Sequence, residues 1–405
     1  MNNNVLRSGA LNGAQAVPKL NQDTNILVMG LDSRVDEQGK PLSPAVYDAL
    51  DAGDQTIGGY NSNVLMLIHI PANGSKATAI SIPRDDYAQI AGIPGESIQG
   101  KIKEAYGDGL AAAQTALLAE GKPNNNATYQ PARDAGRRAE IATVSQFLGS
   151  VHIDHFIEVT MVGFYEVAQA VAPITVCVNQ ATQDTYSGAN FKAGLQQIDA
   201  KQAMAYVRQR RDTSNPNYLF SDLGRERRQQ AFIVSVIRQL KQAGTFTDIP
   251  KMQSVLTAVS KNIVVGQGLN LIDLMRQASS ITGGHISFTT LPITGFGTAP
   301  NGESINTVDV AQVQATVKEL LTPAPTAKAK PSSASTSSSA ASTSTASSAG
   351  TTAKPKAAKK AAPTTTYGDW TGALQGGSIP CVKLRCAPDN GTYRRIFPFS
   401  QATPK

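Results

Sequence analysis

Between positions 322 and 366 the chain consists almost entirely of Ala, Ser, Thr, Lys and Pro. Such a stretch carries too little apolar side chain to offset the chain entropy lost on folding, and it is expected to be disordered. Any packed core is therefore confined to what precedes it. A polar lead-in (1–24) and a tail of uncertain structure (367–405) flank an expected folded body at 25–321, long enough for one large core. The stretch also distorts whole-chain averages. The formal net charge of +7 favours an anionic partner, yet Lys328, Lys330, Lys354, Lys356, Lys359 and Lys360 all belong to it, so net charge alone decides little.

No apolar run reaches the ~18 residues a membrane-spanning helix needs. Met1–Asp23 is Asn-rich and lacks the apolar segment of a signal peptide, as in a truncated chain. Three cysteines cannot make a disulfide scaffold. Cys177 lies in the apolar run ITVCV and reads as a buried strand thiol. Cys381 and Cys386 are spaced for a small disulfide loop in an oxidising compartment or, equally, for two unpaired thiols.

Within the body, short apolar runs alternate with helical periodicity. Residues 25–30 (NILVMG), 64–70, 77–82, 153–159 and 174–178 read as strands. Residues 140–148, 163–171, 199–210 and 222–242 read as helices. The last carries Phe232, Ile233, Val236, Ile237 and Leu240 as an apolar stripe. Two polar stretches, 35–60 and 107–137, read as long connections, the second with a helix near 110–120. The alternation predicts an α/β domain with its sheet covered on both faces.

Familiar catalytic signatures are missing. His69, His152, His155 and His285 show no metal-binding spacing, and there is no GxSxG elbow or Walker loop. Arginine at element ends stands out instead. Arg34 follows the first strand and Arg84 the third, at the sheet edge where open α/β folds bind ligands. Arg208, Arg210 and Arg211 close one helix. Asp222, Arg225 and Gln229, at i, i+3 and i+7, share one face of the next helix and continue its apolar stripe. Guanidinium groups with a few carboxylates suit phosphoryl transfer, where the catalyst positions groups and neutralises charge. Structural ion pairs are the alternative reading of each cluster taken singly. Nucleic acid is not an expected partner, since aromatic interleaving and a helix-turn-helix pattern are both missing.

The segments NILVMGLDSR (25–34), SIPRD (81–85), KIKEAY (101–106), LQQIDAKQAMAYVRQR (195–210) and DLGRERRQQ (222–230), in that order, make the body similar to the LytR–CpsA–Psr family of cell-envelope glycopolymer transferases, actinobacterial type. The resemblance implies a three-layer α/β/α sandwich with a central, mostly mixed sheet. It also implies a Mg²⁺-dependent phosphotransferase that moves a glycopolymer, with arabinogalactan the first guess, from a polyprenyl-pyrophosphate carrier to peptidoglycan, with a pyrophosphatase side activity. Such a protein works at the extracytoplasmic face of the membrane, held by an N-terminal anchor absent from this chain. By motif match, Arg34, Arg84, Lys101, Arg208, Arg210, Arg225 and Gln229 would hold the pyrophosphate. Asp32, Arg84, Asp222 and Arg225 would be catalytic, and Asp32 and Asn63 would ligate the metal. One departure weakens the metal site: Asn61 and Asn63 stand where the family usually has Arg and Asp. The alternative function is a non-catalytic binder of anionic wall polymer or lipid pyrophosphate. The sortase-like LPITG at 291–295 lacks a following apolar span and reads as a strand-end turn.

Overall fold

The run NILVMG forms the middle of a strand whose side chains alternate between the two faces of a sheet, as the two-residue strand period dictates. A computed structural model describes residues 5–11, 23–73, 75–95, 98–178, 180–214, 222–271, 274, 286–322, 374–375 and 381–382. The first strands are β1 (Leu6–Ser8), β2 (Thr24–Leu31), β3 (Ser62–Ile70), β4 (Ala77–Ser81), β5 (Tyr87–Ile90), β6 (Ile98–Lys101), β7 (His155–Val159) and β8 (Ile174–Val178). They are followed by β9 (Thr182–Asp184), β10 (Ala189–Phe191), β11 (Gly194–Ile198), β12 (Ile263–Gly266), β13 (Ile286–Thr290), β14 (Gly295–Thr298), β15 (Ser304–Thr307), β16 (Leu374–Gln375) and β17 (Cys381–Val382). The α-helices are α1 (Pro44–Leu50), α2 (Ala105–Ala119), α3 (Asn126–Phe147), α4 (Met161–Val171), α5 (Ala200–Arg208), α6 (Asp222–Gln242), α7 (Ile249–Val259) and α8 (Val310–Leu321).

The main sheet has eight strands in the order β1-β12-β7-β2-β3-β4-β13-β16. It is mixed: β1/β12, β2/β7 and β4/β13 pair in parallel, and the other neighbours are antiparallel. On one face Leu27, Met29, Leu65, Leu67 and Ile80 pack on Ile141, Val144 and Phe147 of α3 and Val313 and Val317 of α8. On the other, Val28, Met66, Ile68, Ala79 and Phe288 pack on Ile233 and Val234 of α6. These are the expected three layers. A smaller sheet, β11-β8-β17, packs with α4, α5 and α6 beside the second face.

Three readings of the sequence need correction. First, the lead-in is not all linker: β1 pairs with β12 from Leu6↔Val264 to Ser8↔Gly266, and Val5 joins a core with Ile263, Val265, Leu269 and Leu271. Residues 12–22, most of 322–366 and most of the tail lie outside the described residues, as does His285. Second, 107–137 is not a connection. It is the greater part of the antiparallel pair α2 and α3. Its glycines read as loop but serve close approach: a Cβ on Gly136 would sit 2.6 Å from the Tyr106 carbonyl oxygen, and one on Gly109 2.6 Å from the Ala139 Cβ. Asn125 caps α3 by accepting from the Ala127 N–H. Third, Cys177 is not a free thiol but disulfide-bonded. The only other cysteines are Cys381 and Cys386, and Cys381 of β17 is the register partner of Cys177. A bond between Cys381 and Cys386 would leave Cys177 without a partner, so that small loop is not formed.

The polar connection 35–60 contains α1 and is anchored from beneath. Glu37 meets Arg133 at 2.8 Å, and Arg133 also pairs with Glu158 of β7. Arg137 donates to the same Glu158 at 2.8 and 2.9 Å, and Tyr106 Oη donates to it at 3.0 Å. Glu37, Arg133, Arg137 and Glu158 are at most 2% exposed. Burial pushes the Glu37 carboxyl up to about 7. Burial acts likewise on Glu158, but Arg137 and Arg133 outweigh it and hold that carboxyl at about 2.

Candidate active site

The second face of the sheet leaves a cavity of about 500 Å³ between β2, β3 and β7 and the helices α4, α5 and α6. Val28, Val64, Val159, Phe164, Val167, Phe232, Ile233, Val236 and Ile237 supply its apolar walls. At the other end Arg34, Arg84, Arg208, Arg210, Arg211 and Arg225 meet Asp32, Asp184, Asn63 and Gln229. One continuous space thus runs from hydrocarbon-like lining to a cluster of guanidinium groups.

Local structure explains how the polar end is assembled. Strand β2 bulges at Gly30/Leu31. A Cβ on Gly30 would lie 2.8 Å from the Val64 Cβ, so only glycine lets β2 and β3 approach here. The bulge turns Asp32 and Arg34 into the cavity, as bulges at strand ends re-aim side chains. Arg34 Nη1 donates to Asp32 Oδ1 at 2.8 Å and its Nε to the Ala52 carbonyl at 2.6 Å. Gly58, with φ +91°, leaves room for this guanidinium: a Cβ there would fall 1.7 Å from Arg34 Nη1.

Asp222 organises the opposite wall. Set in the first turn of α6, where a carboxylate is favoured by the helix dipole, it accepts from Arg84 Nε at 3.1 Å and Arg225 Nη2 at 3.0 Å, with Arg210 Nε at 3.4 Å. Burial pushes its carboxyl up, but Arg225, Arg84 and Arg210 together pull it below the ordinary range. Arg225 is 6% exposed, and desolvation lowers its guanidinium to about 10, so it stays charged at neutral pH. Arg84 also donates through Nη1 to Asn63 Oδ1. Arg208 Nη1 donates to the Leu50 and Asp51 carbonyls at 2.7 and 3.0 Å. Burial, reinforced by Arg34, lowers its pKa. Gln229 Nε2 donates to the Val207 carbonyl at 3.4 Å.

The structure therefore gathers Asp32, Arg34, Asn63, Arg84, Arg208, Arg210, Arg225 and Gln229 around one cavity, with Asp222 behind them. Lys101 is not among the lining residues. Its Nζ pairs with Glu303 at 2.9 Å and Glu104 at 3.7 Å, and these carboxylates account for its charge. Sequence reasoning missed Asp184 and Tyr186 at the mouth. It also missed Gln230, which pins α6 to the sheet by donating to Ser81 Oγ at 2.8 Å and Thr290 Oγ1 at 2.9 Å. Asp184 stands amid short polar strands, whose alternation carries little signal.

The donor set near Asp32 allows a test of the expected metal. Among the described residues no group of three or more His, Cys, Asp or Glu could hold an ion. Asp32 and Asn63 each offer oxygen, but both already accept from arginine. One carboxylate and one amide fit a Mg²⁺ that keeps its waters and arrives on phosphate oxygens, the usual mode for that ion. They do not make a closed cage.

A family model described as the LytR_cpsA_psr family matches residues 3–322. The cell wall biosynthesis protein LcpA of Corynebacterium glutamicum is 36% identical over 315 residues, covering 77% of this chain and 58% of that protein. The polyisoprenyl-teichoic acid–peptidoglycan teichoic acid transferase TagU of Bacillus mycoides is 29% identical over 245 residues, covering 60% of this chain and 65% of that protein. The chain thus spans less than two thirds of the length of either relative. Among solved structures, a Streptococcus agalactiae protein, gbs0355, superposes with a TM-score of 0.52 at 20% identity, covering 74% of this chain and 88% of its own. Bacillus subtilis TagV superposes with 0.51 at 20% identity, covering 75% and 99%. Both share the fold.

Proposed function

The chain belongs to the LytR_cpsA_psr family, and from that premise we propose that it is a phosphotransferase moving a glycopolymer from a polyprenyl-pyrophosphate carrier to peptidoglycan in the cell envelope. The observation that carries this reading is the cavity itself. Its apolar walls suit an isoprenoid chain, and six guanidinium groups against three carboxylates suit a pyrophosphate at the polar end, counting Asp222 behind Arg84 and Arg225 with the lining Asp32 and Asp184. The names of the relatives support wall assembly and a polyisoprenyl-linked donor. Arabinogalactan as the polymer, and membrane attachment by a segment outside this chain, belong to the same proposal.

In this mechanism an acceptor hydroxyl oxygen attacks the phosphorus that bears the glycan. The new P–O bond forms as the bond to the bridging oxygen breaks, and polyprenyl phosphate leaves. Arg84, Arg210 and Arg225 donate to the phosphoryl oxygens and offset the charge gathering on the leaving group. Asp222, paired with those same arginines, positions them; its lowered pKa makes it a poor base. Asp32, the most exposed of the three carboxylates at 26% of its side chain against 13% for Asp222, takes the hydroxyl proton. Asp32 and Asn63 would hold a Mg²⁺ that neutralises phosphoryl charge when bound. Water in place of the acceptor hydroxyl gives the pyrophosphatase side reaction.

Phosphate release from geranyl pyrophosphate, with and without Mg²⁺, tests the reading. Wild type releases phosphate; Arg84→Ala and Arg225→Ala lose about 100-fold in rate while keeping wild-type circular dichroism. Unchanged release in both variants removes these residues from the mechanism. Tight binding without release leaves a non-catalytic binder of lipid pyrophosphate.

A further inference from the structure

The mouth of the cavity holds a side chain that neither packing nor phosphate binding explains. Tyr186, at the tip of the β9–β10 hairpin, is 68% exposed yet lines the polar end of the cavity. The guanidinium of Arg211 lies 4.0 Å from the centroid of its ring. A cation held over an aromatic face is a stabilising arrangement; here it covers one face of the ring.

The tip is fixed. The Tyr186 N–H donates to Asp184 Oδ1 at 3.0 Å and Ser187 Oγ to Asp184 Oδ2 at 2.9 Å. Asp184 is 2% exposed, and the Arg210 N–H is 3.4 Å from its Oδ2. Next to this contact, the Thr213 N–H donates to the Gln183 carbonyl at 2.6 Å and the Gln183 N–H to Asp212 Oδ1 at 3.3 Å. The hairpin is thus tied, residue by residue, to the segment whose Arg210 reaches Asp222 in the phosphate cluster. A pre-positioned aromatic ring is set at a constant offset from the guanidinium groups.

Resting on the carrier-pyrophosphate reading, we propose that Tyr186, backed by Arg211, is a stacking platform for the sugar attached to the donor's pyrophosphate. With the isoprenoid among the apolar walls and the phosphates on the arginines, the group on the far phosphate emerges at the mouth, beside this ring. The C–H face of a sugar ring covers an aromatic face well, and its hydroxyls remain free for water and for arginine N–H donors. An ordered aromatic body with a polar rim is the usual composition of such specificity sites. A sugar of the peptidoglycan acceptor could use the same chemistry. The donor is favoured because the tip is tied to the phosphate-binding segment itself.

The test is calorimetric, with two probes: geranylgeranyl pyrophosphate, and the same lipid bearing pyrophosphoryl-linked N-acetylglucosamine. Wild type is expected to prefer the sugar-bearing probe by about tenfold, the size of a good stacking contact. Tyr186→Ala abolishes most of that preference, and Tyr186→Phe retains it because the face and not the hydroxyl acts. A preference unchanged in Tyr186→Ala, or none in wild type, overturns the platform. So does a Tyr186→Ala variant that keeps its donor preference but shows a raised KM for peptidoglycan fragments, which assigns the ring to the acceptor. Failure of wild type to bind either probe is a different result: it removes the carrier reading itself and the platform with it.

Discussion

Two clusters of arginine lie on opposite faces of the same sheet, and they differ in one respect. On the α3 face, Arg133 and Arg137 meet Glu37 and Glu158, a buried carboxyl for each guanidinium. On the α6 face, guanidinium groups outnumber carboxylates, and the space opens into a cavity. Strand β7 shows the division within two residues: Glu158 points into the balanced cluster, while Val159 lines the cavity. The lesson is that arginine content does not mark a site. A surplus of cations over anions at the wall of a cavity does, because the missing negative charge is what a substrate brings.

The first way to break this comparison is to delete one cation from each side. Arg133→Met leaves Glu158 buried with half its compensation and is expected to cost about 3–5 kcal/mol in urea unfolding. Arg225→Ala should cost far less, since Asp222 keeps Arg84 and Arg210. Equal losses would mean that the cavity cluster is structural after all.

A second test uses pH. Burial raises the Glu140 carboxyl to about 8, against an ordinary 4.5. Folded protein therefore holds this proton, and the unfolded chain has lost it, between about pH 4.5 and 8. Stability contributed by Glu140 is full below that window and falls as pH rises through it, by up to ~1.4 kcal/mol per pH unit. Melting temperatures of wild type and Glu140→Gln, compared across the window, should converge toward low pH and diverge toward high pH, with the variant the less sensitive. Parallel curves would show that the closed side does not hold that proton. The smallest effect concerns the metal. Asn63→Asp adds a carboxylate beside Asp32 and is expected to tighten Mg²⁺ binding several-fold, since ligand charge sets affinity at such oxygen sites. Calorimetry showing no gain would remove residue 63 from the ion's coordination, Arg84 having claimed the new charge instead.

Much of this was legible in the sequence where period and composition agree. The runs behind β2, β3, β4, β7 and β8 read directly as strands, and the Asp222, Arg225, Gln229 spacing placed those residues at one wall. The failures have physical causes. Gly109 and Gly136 look like loop formers but exist to let two helices touch. Lys101 sits in a matching motif, yet Glu303, two hundred residues away, neutralises it, and no local pattern announces such a partner. Glu37 and Glu158 become a unit only through Arg133 and Arg137 on a helix whose existence the glycines concealed. Tyr186 depends on a hairpin of three-residue strands, too short for alternation to register.

The pairing of β16 with β13 and of β17 with β8 has a consequence for how the two sheets are held together. Leu374 and Gln375 extend the main sheet beyond β13, while Cys381 and Val382, a few positions on, extend the smaller sheet beyond β8. One short stretch of tail therefore rivets the main sheet to the smaller one, whose β8 packs with α4, α5 and α6 beside the cavity.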